Sequence, residues 1–260
     1  MNKWKQQLSV FDSILEDLRQ TREKQEGKLR FNRSIIIASD IASQFYCEKK
    51  VELQYIHGEI ETEEKTIGSV AHEKLEEDAI KIKREDLWKK IYGKDPVFAV
   101  EMFILAKYQD VLLGGRPDSV IFQNGLPRII FEFKFSKSRI AYSSHHVQAR
   151  TYGVILNKMG FDTSTLFYAI VTADPKTQGN KEFRHEAILA AIKNGPKEAT
   201  IPIKDATIHF HKFRTEDIAN ELDWVIDFWK QNREATLTDN PNKCFKCEYQ
   251  AQCNNSTDFL

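Results

Sequence analysis

Two acids and a lysine lie close enough along this chain to share one site. Asp118 follows Pro117, and the run 128–138 then carries Glu132 and Lys134 two positions apart. In that run Ile129, Phe131, Phe133 and Phe135 fall on one face of a strand, with Arg128, Ile130, Glu132 and Lys134 on the other. Such alternation also describes a half-solvated strand with its charges turned outward. The turn before it favours chemistry. Asn124–Gly125, set between two apolar runs, is a strong hairpin signal, so the chain reverses and brings Asp118 beside Phe131 or Glu132. Two carboxylates at cross-strand distance repel unless something positive lies between them. Hard oxygen ligands suit Mg2+ or Mn2+, which keep several waters and accept phosphate oxygens at the remaining positions. Lys134 shares a face with Glu132, where its ammonium can meet charge developing on a phosphate or orient an attacking water.

A second group is the thiols. Cys47, Cys244, Cys247 and Cys253 are all the cysteines of the chain. The N-terminal stretch lacks the apolar core of a signal peptide, which leads to the expectation of a cytoplasmic protein, where disulfides are a poor default. A C-x2-C-x5-C cluster joined to one distant cysteine can offer four thiolates to zinc or to an iron–sulfur cluster. The spacing does not choose between them. A third group is basic: residues 134–150 hold Lys134, Lys137, Arg139 and Arg150 with two histidines and no acid. With 38 basic and 38 acidic residues, the molecule as a whole exerts no net pull on nucleic acid, so any such contact must come from a local patch. A solvated loop and helix face explains the same residues.

The elements that position these groups are read from periodicity. At 260 residues the chain can bury a substantial core, and its apolar runs are too short to span a bilayer, so no membrane partner is expected. Residues 1–30 read as an amphipathic helix through Trp4, Leu8, Phe11, Ile14, Leu15 and Leu18. A second helix is expected to end near Tyr55, and a third to cover 67–88. Strands follow over 96–108, 111–122 and 128–135. Residues 143–160 return to helix, with Gly160 as its stop, and 165–173 form a buried strand. The polar stretch from 174, punctuated by Gly and Pro, reads as an insertion reaching about 213, with a late strand at its end. A helix over 215–233 opens on Thr215 as N-cap. This order predicts an α/β sandwich around a small mixed sheet.

Taken together, Pro117–Asp118 and Glu132-Phe133-Lys134 resemble the signature of the PD-(D/E)XK nuclease superfamily. Gln148 and Tyr152, four apart on one helical face directly after the strand, resemble the QxxxY of its RecB-like branch. His72, on a helix after Gly68, fits the same branch. One cysteine before the core and three at the C-terminus look similar to the iron–sulfur RecB-type nucleases, including the CRISPR-associated Cas-four exonucleases. The resemblance implies a restriction-endonuclease-like core, a small mixed central sheet flanked by helices, with an iron–sulfur clasp joining the N-terminal helix to the C-terminal tail. Residues 1–36 would be a helical extension and 37–260 the nuclease domain, with an insertion at about 174–213 and the cysteine cluster at 244–253.

The same resemblance implies a metal-dependent DNA exonuclease acting on single-stranded ends, trimming prespacer DNA in CRISPR adaptation, with CRISPR integrase proteins as partners. His72, Asp118, Glu132 and the Phe133 carbonyl would hold Mg2+ or Mn2+, with Glu101 as a further acid. Lys134 would assist the water, and Gln148 and Tyr152 would touch the DNA backbone or brace the metal site. Cys47, Cys244, Cys247 and Cys253 would hold a 4Fe–4S cluster, zinc being the alternative. Lys137, Arg139 and Arg150 would guide the strand. The rivals are a free-standing repair or replication nuclease, a catalytically silent DNA-end-binding scaffold, and a zinc-clasped domain with a charged strand. Residues 1–30 and 174–213 make the chain longer than compact Cas-four proteins.

Overall fold

The alternation over 128–135 becomes the middle of a sheet. In the computed structural model, which describes residues 2–23, 28–60, 62 and 81–253, the strands are β1 (Ile36–Ile37), β2 (Val97–Val100), β3 (Ile104–Tyr108), β4 (Val111–Gly115), β5 (Ser119–Gln123), β6 (Leu126–Phe135), β7 (Phe167–Ala173), β8 (Ala199–Ile203) and β9 (Ala206–Lys212). The helices are α1 (Lys3–Glu23), α2 (Ala38–Tyr46), α3 (Glu48–His57), α4 (Arg84–Ile91), α5 (Ser143–Lys158), α6 (Lys181–Asn194), α7 (Ala219–Trp229) and α8 (Pro241–Phe245). Six strands form a mixed sheet in the order β2-β5-β6-β7-β9-β8, and a smaller sheet runs β1-β4-β3.

Asn124 and Gly125 both have positive φ (55° and 78°), the geometry of a two-residue hairpin that closes Gln123 on Leu126. One residue is bulged near Arg128, because Ile121 pairs with Ile129 while Phe122 pairs with Pro127. That extra residue sets Ser119 opposite Phe131, and so brings Asp118 level with Glu132. The two faces of β6 bury against different helices. Phe131 and Phe133 join Phe183, Ala187 and Ala191 of α6 in one apolar cluster, while Ile130 joins Val147 and Tyr152 of α5 in the other. Burying each phenyl ring contributes about 1.5–3 kcal/mol. The parallel neighbours β6 and β7 are linked by α5, the crossover that parallel pairing requires.

Several expectations are corrected. The strand expected over 96–108 is two strands in two sheets, separated at Glu101, whose φ is 47°. The strand expected over 111–122 also divides, at 116–118, where Pro117 has no N–H to give a ladder. The chain there passes from the small sheet to the large one. The helix expected to end near Tyr55 breaks at Cys47, which is extended (φ −169°, ψ 121°) between α2 and α3. Thr215 does not cap a helix; it opens a 3-10 turn, and α7 starts at Ala219 without a side-chain cap. The segment 174–213, expected as an insertion, is built into the sheet: it supplies β8, β9 and α6, whose apolar stripe at Phe183, Ala187 and Ala191 is diluted by polar neighbours in the sequence. Most of the helix expected over 67–88, with His72, lies outside the described residues. Among the described residues no helix is long and apolar enough to cross a membrane.

Candidate active site

Where β5 begins and β6 nears its end, the ladder between them is continued by a side chain. Asp118 Oδ2 accepts a hydrogen bond from the Phe133 amide at 2.5 Å. Asp118 and Glu132 are each 2% exposed, so both carboxylates sit inside the molecule at one level of the sheet. Lys134 lies 2.7 Å from Glu132 Oε1 and donates to Gln148 Oε1 at 3.0 Å. Gln148 Nε2 in turn donates to the Tyr152 hydroxyl at 2.9 Å, and that hydroxyl donates to the Arg116 carbonyl at 3.2 Å. The chain of bonds closes on the loop that carries Asp118. Tyr152 reaches that loop because residue 115 is glycine: a Cβ there would stand 2.6 Å from the tyrosine ring.

Burial alone would lower the Lys134 pKa, but the charges of Glu132 and Asp118 hold it above its ordinary value, so the ammonium persists at working pH. Burial, with the Glu132 charge added, pushes the Tyr152 hydroxyl well above its usual pKa, so it acts as a donor and not as a base. Glu101 borders the same site. Its amide donates to the Asp118 carbonyl at 3.3 Å, and its charge is felt at Tyr152.

The other Glu132 oxygen, Oε2, is buried with no hydrogen-bond partner among the described residues. An orphaned carboxylate oxygen costs about 1–3 kcal/mol or more, a cost that a cation beside it would remove. Among the described residues no three His, Cys, Asp or Glu side chains are arranged to hold a metal. Two carboxylates are nevertheless a set that Mg2+ or Mn2+ accepts, because such ions keep water or phosphate elsewhere. The residues fit that group.

The expected strand-guiding residues divide. Lys137 is exposed. Arg139 is tied to the Thr172 carbonyl and Asp174, and Arg150 to the Asp217 carbonyl (2.6 Å) and Glu221 (3.1 Å). Sequence reasoning missed His209 and His211, which alternate along β9 on the face that carries Glu132 and Lys134. Their period-2 spacing was the available signal.

The four cysteines come from two distant parts of the chain. Cys47 sits between α2 and α3, Cys244 lies on α8, and Cys247 and Cys253 follow it; none is in a disulfide. Burial first, then the Cys47 and Cys253 charges, raises the Cys244 thiol; burial and Cys47 likewise raise Cys247. Cys244 thus lies within the fields of Cys47 and Cys253, and Cys247 within that of Cys47; four thiols are a donor set of the kind zinc or an iron–sulfur cluster takes, although the described side chains do not converge into a formed metal site. Contacts without sulfur dock the tail. The buried Tyr249 hydroxyl donates to the Gly58 carbonyl at 2.7 Å, and Lys243 Nζ donates to the Tyr46 carbonyl at 2.9 Å.

No curated protein matches the sequence. A solved structure described as "Crystal structure of SSO0001" is similar at 13% identity and a TM-score of 0.48, over 85% of this chain and 86% of that one. The sequence profile of the PD-(D/E)XK nuclease superfamily matches residues 87–254, a span that includes Asp118, Glu132, Lys134 and the tail cysteines. That match covers well over half of the chain, and the chain belongs to the PD-(D/E)XK nuclease superfamily.

Proposed function

We propose that this protein is a metal-dependent deoxyribonuclease that removes nucleotides from single-stranded ends. Nuclease chemistry is the activity of its superfamily, whose members generally work with a divalent metal such as Mg2+ or Mn2+. The observation that carries the reading is Glu132, a buried carboxylate with one oxygen on Lys134, the other without a partner among the described residues, and Asp118 level with it at the start of the next strand.

Asp118, Glu132 and the Phe133 carbonyl would hold the ion, with His72 added by resemblance. When bound, the ion supplies positive charge against the phosphate and acidifies water. The rest is done by the chain. Lys134 donates from its ammonium to the attacking water or to a non-bridging phosphate oxygen, and stabilises the charge that grows as the water adds in line with the departing ester oxygen. Gln148 holds Lys134 Nζ, and Tyr152 holds the far end of the Gln148 amide, so both are positioning residues. Its bonds to Glu132 and Gln148 keep the half-buried lysine from swinging out to bulk water.

The single-stranded, exonucleolytic part of the reading rests on the RecB-like resemblance and on the basic loop from Lys134 to Arg139. The pairing of Cys47 with Cys244 and Cys247, and of Cys244 with Cys253, supports a 4Fe–4S cluster, which would fasten the tail to α2 and α3. From the cysteine arrangement we extend the reading to trimming of prespacer DNA in CRISPR adaptation, with integrase proteins as the partners that receive the trimmed strand. The test is end-labelled single-stranded DNA with Mn2+. Wild type shortens it stepwise, and Asp118→Ala binds it without cutting. Equal cutting by both, or none by pure wild type carrying its full complement of iron and sulfide, would reject the enzyme reading. Zinc in place of iron and sulfide at the thiols would reject the cluster and leave the nuclease standing.

A further inference from the structure

We infer that His145, His146 and His211 form a backbone-phosphate subsite for the nucleic-acid strand, beside the reacting centre and coupled to proton uptake. This deepens the reading given under Proposed function and rests on it. The register across the sheet gives the placement. Glu132 on β6 pairs with Ile170 on β7, which pairs with His209 on β9; two residues away on the same face, Tyr168 pairs with His211, level with Ile130. At the spacing of adjacent strands, β9 lies about 10 Å from β6, within reach of a phosphate next to the one being attacked.

His146, His211 and Tyr168 are built into one cluster, and His145 lies within the fields of Lys134 and His146. His146 Nδ1 is 3.1 Å from the Tyr168 hydroxyl, its ring lies 5.0 Å from that of His211, and the His211 ring stacks on Tyr168 at 5.5 Å. Among the described residues neither His211 nitrogen has a hydrogen-bond partner. His145 accepts from the Tyr142 amide at Nδ1. All three rings are half-buried. His209 serves differently: its Nε2 is 2.9 Å from the Arg139 carbonyl, which fixes the loop after β6.

The charged groups around the cluster are named by element. Lys134 on β6, Arg139 in the loop and Arg150 on α5 are cationic. Glu198 before β8, with Asp217 and Glu221 beyond β9, closes the outer edge, where Arg214 and Arg150 already engage them. Toward the reacting centre the histidines therefore meet cations. Burial first, then Lys134, holds His145 down to about 3; burial first, then His211 and Arg150, holds His146 down to about 4. His211 is lowered too, chiefly by burial. The free site is neutral at ordinary pH. A phosphate among these rings favours their charged form, so the bound pKa rises and binding takes up protons. Affinity must then increase as pH falls through the bound-state pKa.

The experiment measures binding of a fluorescein-labelled oligothymidylate to the full chain in EDTA, from pH 8 to pH 5.5. Wild type is expected to tighten as pH falls, approaching tenfold per pH unit for each proton taken up. The double variant His145→Gln, His211→Gln is expected to lose most of that slope with its melting temperature unchanged; neither residue holds the metal site. An unchanged slope in the double variant, and in His146→Gln as a second probe, would overturn the subsite while leaving the nuclease reading intact. Failure of wild type to bind the oligonucleotide at all would overturn both.

Discussion

Two buried glutamates, Glu48 and Glu132, show how the same side chain serves structure in one place and chemistry in another. Glu48 is 1% exposed and fully partnered: Arg233 grips both oxygens at 2.6 and 2.7 Å, the Thr236 amide donates at 2.7 Å, and Gln44 at 2.6 Å. Burial would raise its pKa, but the Arg233, Thr236 and Gln44 bonds outweigh it and hold the carboxyl below its ordinary value. Glu132 is equally buried, yet among the described residues it has one lysine and one orphaned oxygen. A completed shell fastens the C-terminal part of the chain to α3. An incomplete one leaves room for an ion and a reacting phosphate.

The sharpest way to break this comparison is to neutralise each acid in turn. Glu132→Gln is expected to cut turnover at least a thousandfold, about 4 kcal/mol of transition-state stabilisation, while its melting temperature stays within a few degrees of wild type. Glu48→Gln should do the reverse. Removing one partner of a buried pair leaves Arg233 uncompensated and costs about 3–5 kcal/mol of stability, read as a lowered urea midpoint, with turnover of the folded fraction unchanged. Equal effects of the two substitutions on stability would show that the shells do not separate the roles.

Acid sharpens the same contrast. Because the folded-state pKa of Glu48 is depressed, its contribution to stability is present above the unfolded pKa, near 4.5, and is lost as pH falls through the lower folded value. Wild type is therefore expected to lose denaturant resistance below about pH 4.5, and Glu48→Gln to lose less over that range. Parallel acid curves for the two proteins would sink the assignment.

The two glutamates also differ in how far the sequence betrays them. Glu132 is legible because hairpin chemistry is local: Asn124–Gly125 demands a tight reversal, and Asp118 follows from it. Its register was not, because a bulge near Arg128 leaves no mark in the hydrophobic pattern. Glu48 was invisible, since its partner Arg233 lies 185 positions away and periodicity carries no such information. The breaks at Glu101 and Pro117 were hidden for a related reason: strands passing from one buried sheet to another stay apolar throughout. The α6 stripe was obscured by the polar face around it, although three apolar residues at helical spacing build half of a core.

One step down in size, the Gln148–Tyr152 brace stands between the two extremes, satisfied internally yet acting through Lys134. Tyr152→Phe removes one hydroxyl that both accepts from Gln148 and donates to Arg116. Its loss should cost about 1 kcal/mol and lower turnover by roughly tenfold with little change in DNA affinity. A fall in affinity with unchanged turnover would instead make Tyr152 a DNA contact.

The smallest effect extends the criterion from acids to bases. Arg150 is held by Asp217 and Glu221, whereas Lys137 stands exposed beyond the lysine of the site. If completed shells mean structure, Arg150 belongs with Glu48 and Lys137 with the substrate. Lys137→Ala should then weaken single-stranded DNA binding by a few fold and reduce the slope of log affinity against log salt by about 0.7, the value for one phosphate no longer neutralised by the protein. Its melting temperature should not move. Arg150→Ala should lower stability and leave the salt slope nearly unchanged, because a guanidinium already paired with protein carboxylate releases little counterion when DNA arrives. The salt slope discriminates here, since both variants reduce apparent binding once part of the Arg150→Ala sample is unfolded.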